Sequence, residues 1–341
     1  MILAADQSLE QKVDTPLQPF RLQRDLAPLA DLVELAFKDE LERTGNPIVA
    51  EMRRLARLGP LLWLAGGSES LLPPFLDGYV WIVDGRLVGN ASLTRESGAP
   101  GVMSVSNVAV LPAYRHQGIA RRLMEAVIRR AVERGAKRLL LEVNDDNVAA
   151  RQLYESLGFE LYDTCHEVRM PRFRWPEPSR APNVPLRPWR AADAAAVRAL
   201  IRAATPEEMQ GLPMGQGRRP VASDSRLLAW LSRLFGQGVR RTWVLEGSAS
   251  LQAALQVIER DQRDAHRLDI VVRPQHRGTL ERELLSRALY ELRRRQLDLK
   301  ATVSASHPQA LQAFKEAGFD TVRVLARMTL DLRPTTHGVV I

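Results

Sequence analysis

The chain has 341 residues, enough for two domains that each bury a core. Its 45% hydrophobic and 26% charged content is that of a soluble globular protein, no run approaches the roughly 20 apolar residues of a membrane span, and one cysteine, Cys165, excludes an internal disulfide and a cysteine-cluster metal site. The formal charge of +8 is uneven: 23 basic against 24 acidic residues through Arg180, then 25 against 16. A basic half attracts nucleic acid or acidic partners in principle. Here the arginines are scattered and aromatics sparse, so a solvated Arg-rich surface is favoured; a nucleic-acid-binding adaptor remains a competing class, which would show affinity falling steeply with salt.

Residues 1–18 read as a loose leader without a basic n-region or apolar core, so no signal peptide and a cytoplasmic location are expected. Phe20–Gln23 suggests an opening strand, and helical periodicity follows in Leu29–Phe37 and Ile48–Leu58. Leu61–Asp77 is apolar but interrupted by Gly and Pro, and reads as a long loop, either a substrate-facing lid or plain cover for the core. YVWIV and RLVGNASL flank Asp84-Gly85, the turn chemistry of a two-residue hairpin. SVSNVAVL is β-branched and apolar, as in a buried strand, and Pro112 ends it. Tyr114–Ala120 forms a small-residue turn into a helix with Leu123, Met124, Val127, Ile128, Ala131 and Val132 on its apolar side, closed by Arg134-Gly135. Leu139–Val143 is the next strand; Asp145, Asp146 and Asn147 offer caps for a helix around Ala149–Leu157, stopped by Gly158. Glu160–Met170 alternates enough for one or two final strands.

Pro171–Pro185 carries five prolines and marks a linker, taken as 173–185. The plan then begins again: strand Leu186–Trp189, helix Ala192–Ala203, hairpin Trp243–Glu259, strand Leu268–Val272, helix Leu280–Arg294, strand Leu299–Val303, and helix His307–Ala317 ending in Gly318-Phe319. This is an internal repeat with a period of about 160 residues, placing His307 at Asn147, Ala310 at Ala150, Phe314 at Tyr154 and Gly318-Phe319 at Gly158-Phe159.

A Gly-containing turn feeding a helix N-terminus is an anion site in principle, since outward amides and the helix dipole favour negative charge. The turn is neither a Walker A loop nor a GxGxxG fingerprint. Arg115-x-x-Gly118-x-Ala120 does resemble the pyrophosphate loop of the GNAT acetyltransferases, and Asn147-x-x-Ala150-x-x-x-Tyr154-x-x-x-Gly158-Phe159 resembles that family's second acetyl-CoA motif, in the family's order and separation. LLLEV…N…LYESLGF is also similar to the ribosomal-protein alanine acetyltransferases.

The resemblance implies an α/β (α+β) fold of two tandem acyl-CoA N-acyltransferase-like domains, each a mixed, mostly antiparallel sheet flanked by helices: 19–172 catalytic and 186–333 degenerate, with a tail at 334–341. It implies acetyl-CoA as cosubstrate, with no metal, and a primary amine on a small molecule or protein as acceptor. Transfer would be direct, in a ternary complex, so Cys165 is not required. Pyrophosphate would meet the amides of His116, Gln117, Gly118, Ile119 and Ala120, with Arg115 and Arg121 as charge partners. The main chain of Val108 and Val110 would pair with pantetheine, the Val110 amide polarising the thioester, and Asn147, with Ala150 in its motif, would bond the pantetheine arm or simply cap its helix.

Acetyl transfer needs a base to neutralise the ammonium, a donor for the developing oxyanion and a proton for the leaving thiolate. Tyr154 stands at the family's general-acid position. Glu142 stands where the alanine acetyltransferase branch carries its base; a lone carboxylate in an apolar strand faces either a cleft or an ion-pair partner. Asn107 reads as structural or substrate-holding, and His116 belongs beside phosphate rather than at a proton transfer. In the second copy, aligning Gly278 with Gly118 puts Leu280 at Ala120, whereas aligning Pro274 with Pro112 puts Leu280 at Gly118 and Arg282 at Ala120. Either register sets a large side chain against the phosphate, and Phe314 has no hydroxyl. A non-catalytic acetyl-CoA-binding regulator is the alternative function.

Overall fold

The computed structural model describes residues 16–44, 48–64, 77–96, 99–176, 184–210, 212, 238–260 and 265–333. They fall into two compact units, one spanning the chain through Thr94 plus Val105–Arg134, the other Arg95–Ser104 plus everything from Gly135 onward.

In the first unit β1 (Leu17–Pro19) precedes α1 (Leu22–Ala36), α2 (Lys38–Thr44) and α3 (Ile48–Leu64). The opening strand thus lies just before the expected Phe20–Gln23, and Leu22 and Gln23 are helical. The reason is local: buried Asp25 accepts the Arg21 amide at 2.6 Å and the Arg24 Nε at 2.5 Å, closing the first turn of α1. Leu26, Leu29, Ala30, Leu32 and Val33 are buried at helical spacing along α1. Leu61–Leu64, expected as loop, continues α3; the rest of the expected lid, 65–76, lies outside the described residues.

β2 (Asp77–Val83) and β3 (Arg86–Arg95) form the expected hairpin, and both turn residues are left-handed, Asp84 at φ 49° and Gly85 at φ 73°. β1 pairs antiparallel with β2, and β4 (Val102–Val110) continues the sheet beside β3. α4 (Ile119–Glu133) packs on this sheet. A Cβ at Gly89 would stand 3.1 Å from Leu123 and 3.2 Å from Ile119, so the glycine permits that close approach. Val132, expected on the apolar face, is 46% exposed.

The second unit holds β5 (Arg138–Asn144), α5 (Val148–Ser156), β6 (Glu160–Met170), β7 (Arg187–Pro188), α6 (Ala194–Ala204), β8 (Val239–Glu246), β9 (Leu251–Glu259), β10 (His266–Val272), α7 (Glu281–Leu292), β11 (Leu299–Ser304), α8 (Pro308–Glu316) and β12 (Asp320–Asp331). Its strands run in the order β5-β12-β6-β11-β10-β9-β8-β7, with β10–β11 parallel and the other pairings antiparallel. Glu160–Met170 is therefore one strand.

The order records an exchange between the copies. β12, the last strand of the repeat, lies between β5 and β6 of the first copy, running from Leu325 opposite Asn144 to Asp331 opposite Arg138. In return β6 pairs with β11, from Leu299 opposite Met170 to Ser304 opposite Cys165. Val168 and Met170, at 1% and 0% exposure, pack in one core with Leu255, Leu268, Leu285, Phe314 and Phe319. Burying two such side chains is worth about 1.5–3 kcal/mol each. Ion pairs reinforce the exchange: Arg323 grips Glu167 at 2.6 and 3.0 Å, and Arg169 binds Asp298.

Candidate active site

The loop after β4 turns sharply into a helix N-terminus. Pro112–Tyr114 makes a single 3-10 turn, Arg115 is extended, and then His116 (φ 62°) and Gly118 (φ 75°) adopt left-handed conformations that turn the chain into α4. A Cβ at Gly118 would meet nothing within 4 Å, so glycine serves the backbone angle here and leaves the approach open. The first bond inside α4 runs from the Arg122 amide to the Gly118 carbonyl at 3.1 Å, so helix geometry provides no acceptor for the amides of Ile119 and Ala120. Arg115, His116, Gln117, Gly118 and Arg121 are exposed, Ala120 is half-buried and Ile119 is buried. These are the elements an acidic diphosphate needs, and they fit acetyl-CoA's pyrophosphate.

The loop is tied back to β4 by Arg115, whose Nε donates to the Val110 carbonyl at 3.2 Å. Val108 and Val110 are half-buried on that strand. Just before them Asn107 has a φ of 51°, a kink within a strand. It is held by fully buried Asn90 of β3, whose Nδ2 donates to the Asn107 carbonyl at 2.9 Å and to Ser92 Oγ at 3.0 Å. Asn90 Oδ1 has no partner among the described residues.

In the second unit Asn147 caps α5, its Oδ1 accepting the Ala150 amide at 3.1 Å, while its side-chain NH2 is not part of that bond. Tyr154 is 6% exposed, and its ring tilts against Phe159 at 6.1 Å. Burial pushes its phenol up to about 12, so it holds its proton throughout the neutral range. Glu142, on β5, is ion-paired as well as exposed. Its Oε1 accepts from Arg327 Nε of β12 at 2.8 Å, and its side chain keeps 42% exposure. Arg327 was not legible as a site residue, although one arginine in the apolar run VLARMTL was the available signal.

In the second copy the corresponding loop is built differently. Pro274–His276 repeats the 3-10 turn, Arg277 repeats the extended residue and Gly278 (φ 87°) takes the place of His116. Leu280, at φ −96°, therefore stands where Gly118 stands, and Arg282 where Ala120 stands. Glu281 fills the loop from within: its Oε2 accepts the Gly278 amide at 2.8 Å and its Oε1 bonds His307 Nε2 at 2.7 Å, both residues being buried. Burial opposes its charge, but the bonds from His307 and backbone amides prevail and hold the carboxyl below its ordinary value. β10 and β11 pair only from His266–Leu268 to Leu299–Ala301 and then part. The wedge beyond is a cavity of about 10 Å³ lined by Ile270, Val303, Ser304, His307, Ala310 and Phe314, which is the size of one water site. Phe314 fills the Tyr154 position, stacked edge-on against Phe319 at 4.9 Å. Among the described residues no group of three or more His, Cys, Asp or Glu is arranged to hold a metal.

The mixed sheet flanked by helices and the repeated strand–loop–helix plan are those of the acyl-CoA N-acyltransferase fold in tandem. A solved GCN5-related N-acetyltransferase from Sphaerobacter thermophilus shares this architecture at a TM-score of 0.61 and 17% identity, over 95% of this chain and 97% of that one. A tandem GNAT protein from the clavulanic acid biosynthesis pathway does so at 0.56 and 20%, over 94% and 99%. Residues 50–159 match the acetyltransferase (GNAT) family. The relatives are named as N-acetyltransferase enzymes. The [ribosomal protein bS18]-alanine N-acetyltransferase of Escherichia coli is 51% identical over 53 residues, 16% of this chain and 36% of that protein. The aminoglycoside N(6')-acetyltransferase type 1 of Salmonella typhimurium is 27% identical over 103 residues, 28% of this chain and 71% of that protein. This chain thus spans only about a third of the length of the alanine acetyltransferase.

Proposed function

We propose that the protein is an acetyl-CoA-dependent N-acetyltransferase that moves an acetyl group directly to a primary amine, with residues 19–172 as the working domain and 186–333 as a structural or substrate-shaping partner. The observation that carries this reading is the contrast between the two loops. At Gly118 the backbone is left-handed, bare and open; at Leu280 and Glu281 the same turn is covered and satisfied by its own carboxylate. A built-in anion repels a diphosphate.

Within the working domain, the amides of His116–Ala120, with Arg115 and Arg121, hold the pyrophosphate, and the main chain of Val108 and Val110 lines up the pantetheine, joined by the side-chain NH2 of Asn147. Acetyl-CoA supplies the activated thioester. Glu142 accepts the amine proton, directly or through water, and Tyr154 donates one to the departing thiolate. The acceptor is an amine of the broad kind named for the relatives, an aminoglycoside or a protein α-amine, and a cytoplasmic setting suits the single buried cysteine.

Calorimetric titration with acetyl-CoA tests the assignment. One site per chain, abolished by Gly118→Glu, is the expected result. Two sites would overturn the division of labour, and none would overturn the activity. The Glu142–Arg327 ion pair favours a second reading, a cofactor-binding regulator without turnover; one tight acetyl-CoA site with no thiol released in the presence of any amine of a broad panel would establish it.

A further inference from the structure

The exchanged strand reaches the chemistry. Glu142, Arg327 and Asp163 lie directly opposite one another on β5, β12 and β6, and so form one row on one face of the sheet. Arg327 is 5% exposed. Its Nε donates to Glu142 Oε1 at 2.8 Å and its Nη1 to Asp163 Oδ2 at 3.3 Å. Asp163 is anchored from behind, with Oδ1 accepting from Ser304 Oγ of β11 at 2.7 Å and Oδ2 from Cys165 Sγ at 3.1 Å. The guanidinium is thus fixed on its buried side by residues of both copies, while Glu142 alone reaches solvent.

Two carboxylates share one guanidinium, so the row keeps a surplus negative charge, and Glu142 is the end of it that a cationic amine can meet. Burial works against the charge on Arg327, but the carboxylates of Glu142 and Asp163 outweigh it and keep the group protonated. The same burial raises the Cys165 thiol and the Tyr162 phenol, so both stay neutral in the working pH range.

We propose that Arg327, delivered by the last strand of the second copy, is a positioning residue for the first copy's chemistry: it holds one oxygen of Glu142 and leaves the other to take the acceptor's proton. This rests on Glu142 being the base. It also assigns the degenerate copy a task that survives the closure of its own loop, since β12 cannot be removed without removing the clamp.

The test is a double-mutant cycle in the full chain, using acetyl-CoA with a peptide bearing a free N-terminal alanine and, separately, an aminoglycoside, and reading thiol release. Arg327→Met should lower kcat about 10- to 100-fold while the KM for acetyl-CoA stays within about twofold. Arg327→Lys should recover part of the rate. In a Glu142→Gln background, Arg327→Met should cost no more than about twofold further, because both changes disable one device. An unchanged kcat in a folded Arg327→Met protein, or losses that multiply in the double variant, would overturn the inference and leave the proposed activity standing. If Arg327→Met does not fold, the cycle is run with Arg327→Lys under the same criterion. Wild-type protein that neither binds acetyl-CoA nor releases thiol would overturn the activity itself, and the inference with it.

Discussion

Replacing Gly118 separates the cost to the fold from the cost to binding. Its φ is 75°, and a Cβ there has no neighbour within 4 Å. Alanine therefore pays only for the left-handed backbone, about 1–2 kcal/mol, which lowers the melting temperature by a few degrees in a chain of this size. Glutamate carries the same backbone cost, offset by about 0.3–1 kcal/mol because its charge suits a helix N-terminus. Binding should respond in the opposite sense. A carboxylate in the cradle displaces phosphate from its amides, each charge-assisted bond being worth about 1.5–3 kcal/mol, so losing two weakens acetyl-CoA by at least ~100-fold. Calorimetry and thermal melts on the same preparations should give affinity in the order Gly, Ala, Glu, with Glu at least as heat-stable as Ala. A Gly118→Glu protein that binds acetyl-CoA within about threefold of wild type would refute the argument, since no phosphate could then rest on this loop.

Tyr154→Phe should keep acetyl-CoA affinity within about twofold while kcat falls about 100-fold. Because the phenol is raised to about 12, the wild-type pH–rate profile should show no basic limb from it below that value; an unchanged kcat in the variant would remove the residue from the mechanism. Met170→Ala empties a fully buried position in the core β6 shares with the second copy and should cost about 2–5 kcal/mol in urea unfolding; a loss under about 1 kcal/mol would deny that this strand is structural there. Asn90→Asp keeps the shape but removes the donor to the Asn107 carbonyl. It should speed amide exchange at Val108–Val110 and lower kcat about tenfold, whereas equal exchange in both proteins would show that Asn90 does not hold the kink.

What the chain determined by itself was local. Asp84-Gly85 dictated a turn with two left-handed residues, Gly118 the bend into α4, and Asn147 the start of α5, because each depends on backbone angles and bonds within a few residues. The repeat was legible for the same reason, each motif carrying its own turn and cap. The register of the second loop was open in the sequence, and only the backbone path placed Leu280 at Gly118 and turned Glu281 inward to Gly278 and His307. β12 went unassigned, and with it the exchange of last strands. Its partners are β5 and β6, and the Arg327–Glu142 bond joins residues 185 apart. Strand pairing at such separation leaves no periodic trace in either segment. Glu142 offered a cleft or an ion pair with equal claim, and the tertiary structure gives it both, an Arg327 partner on a strand of the other copy and an exposed side chain.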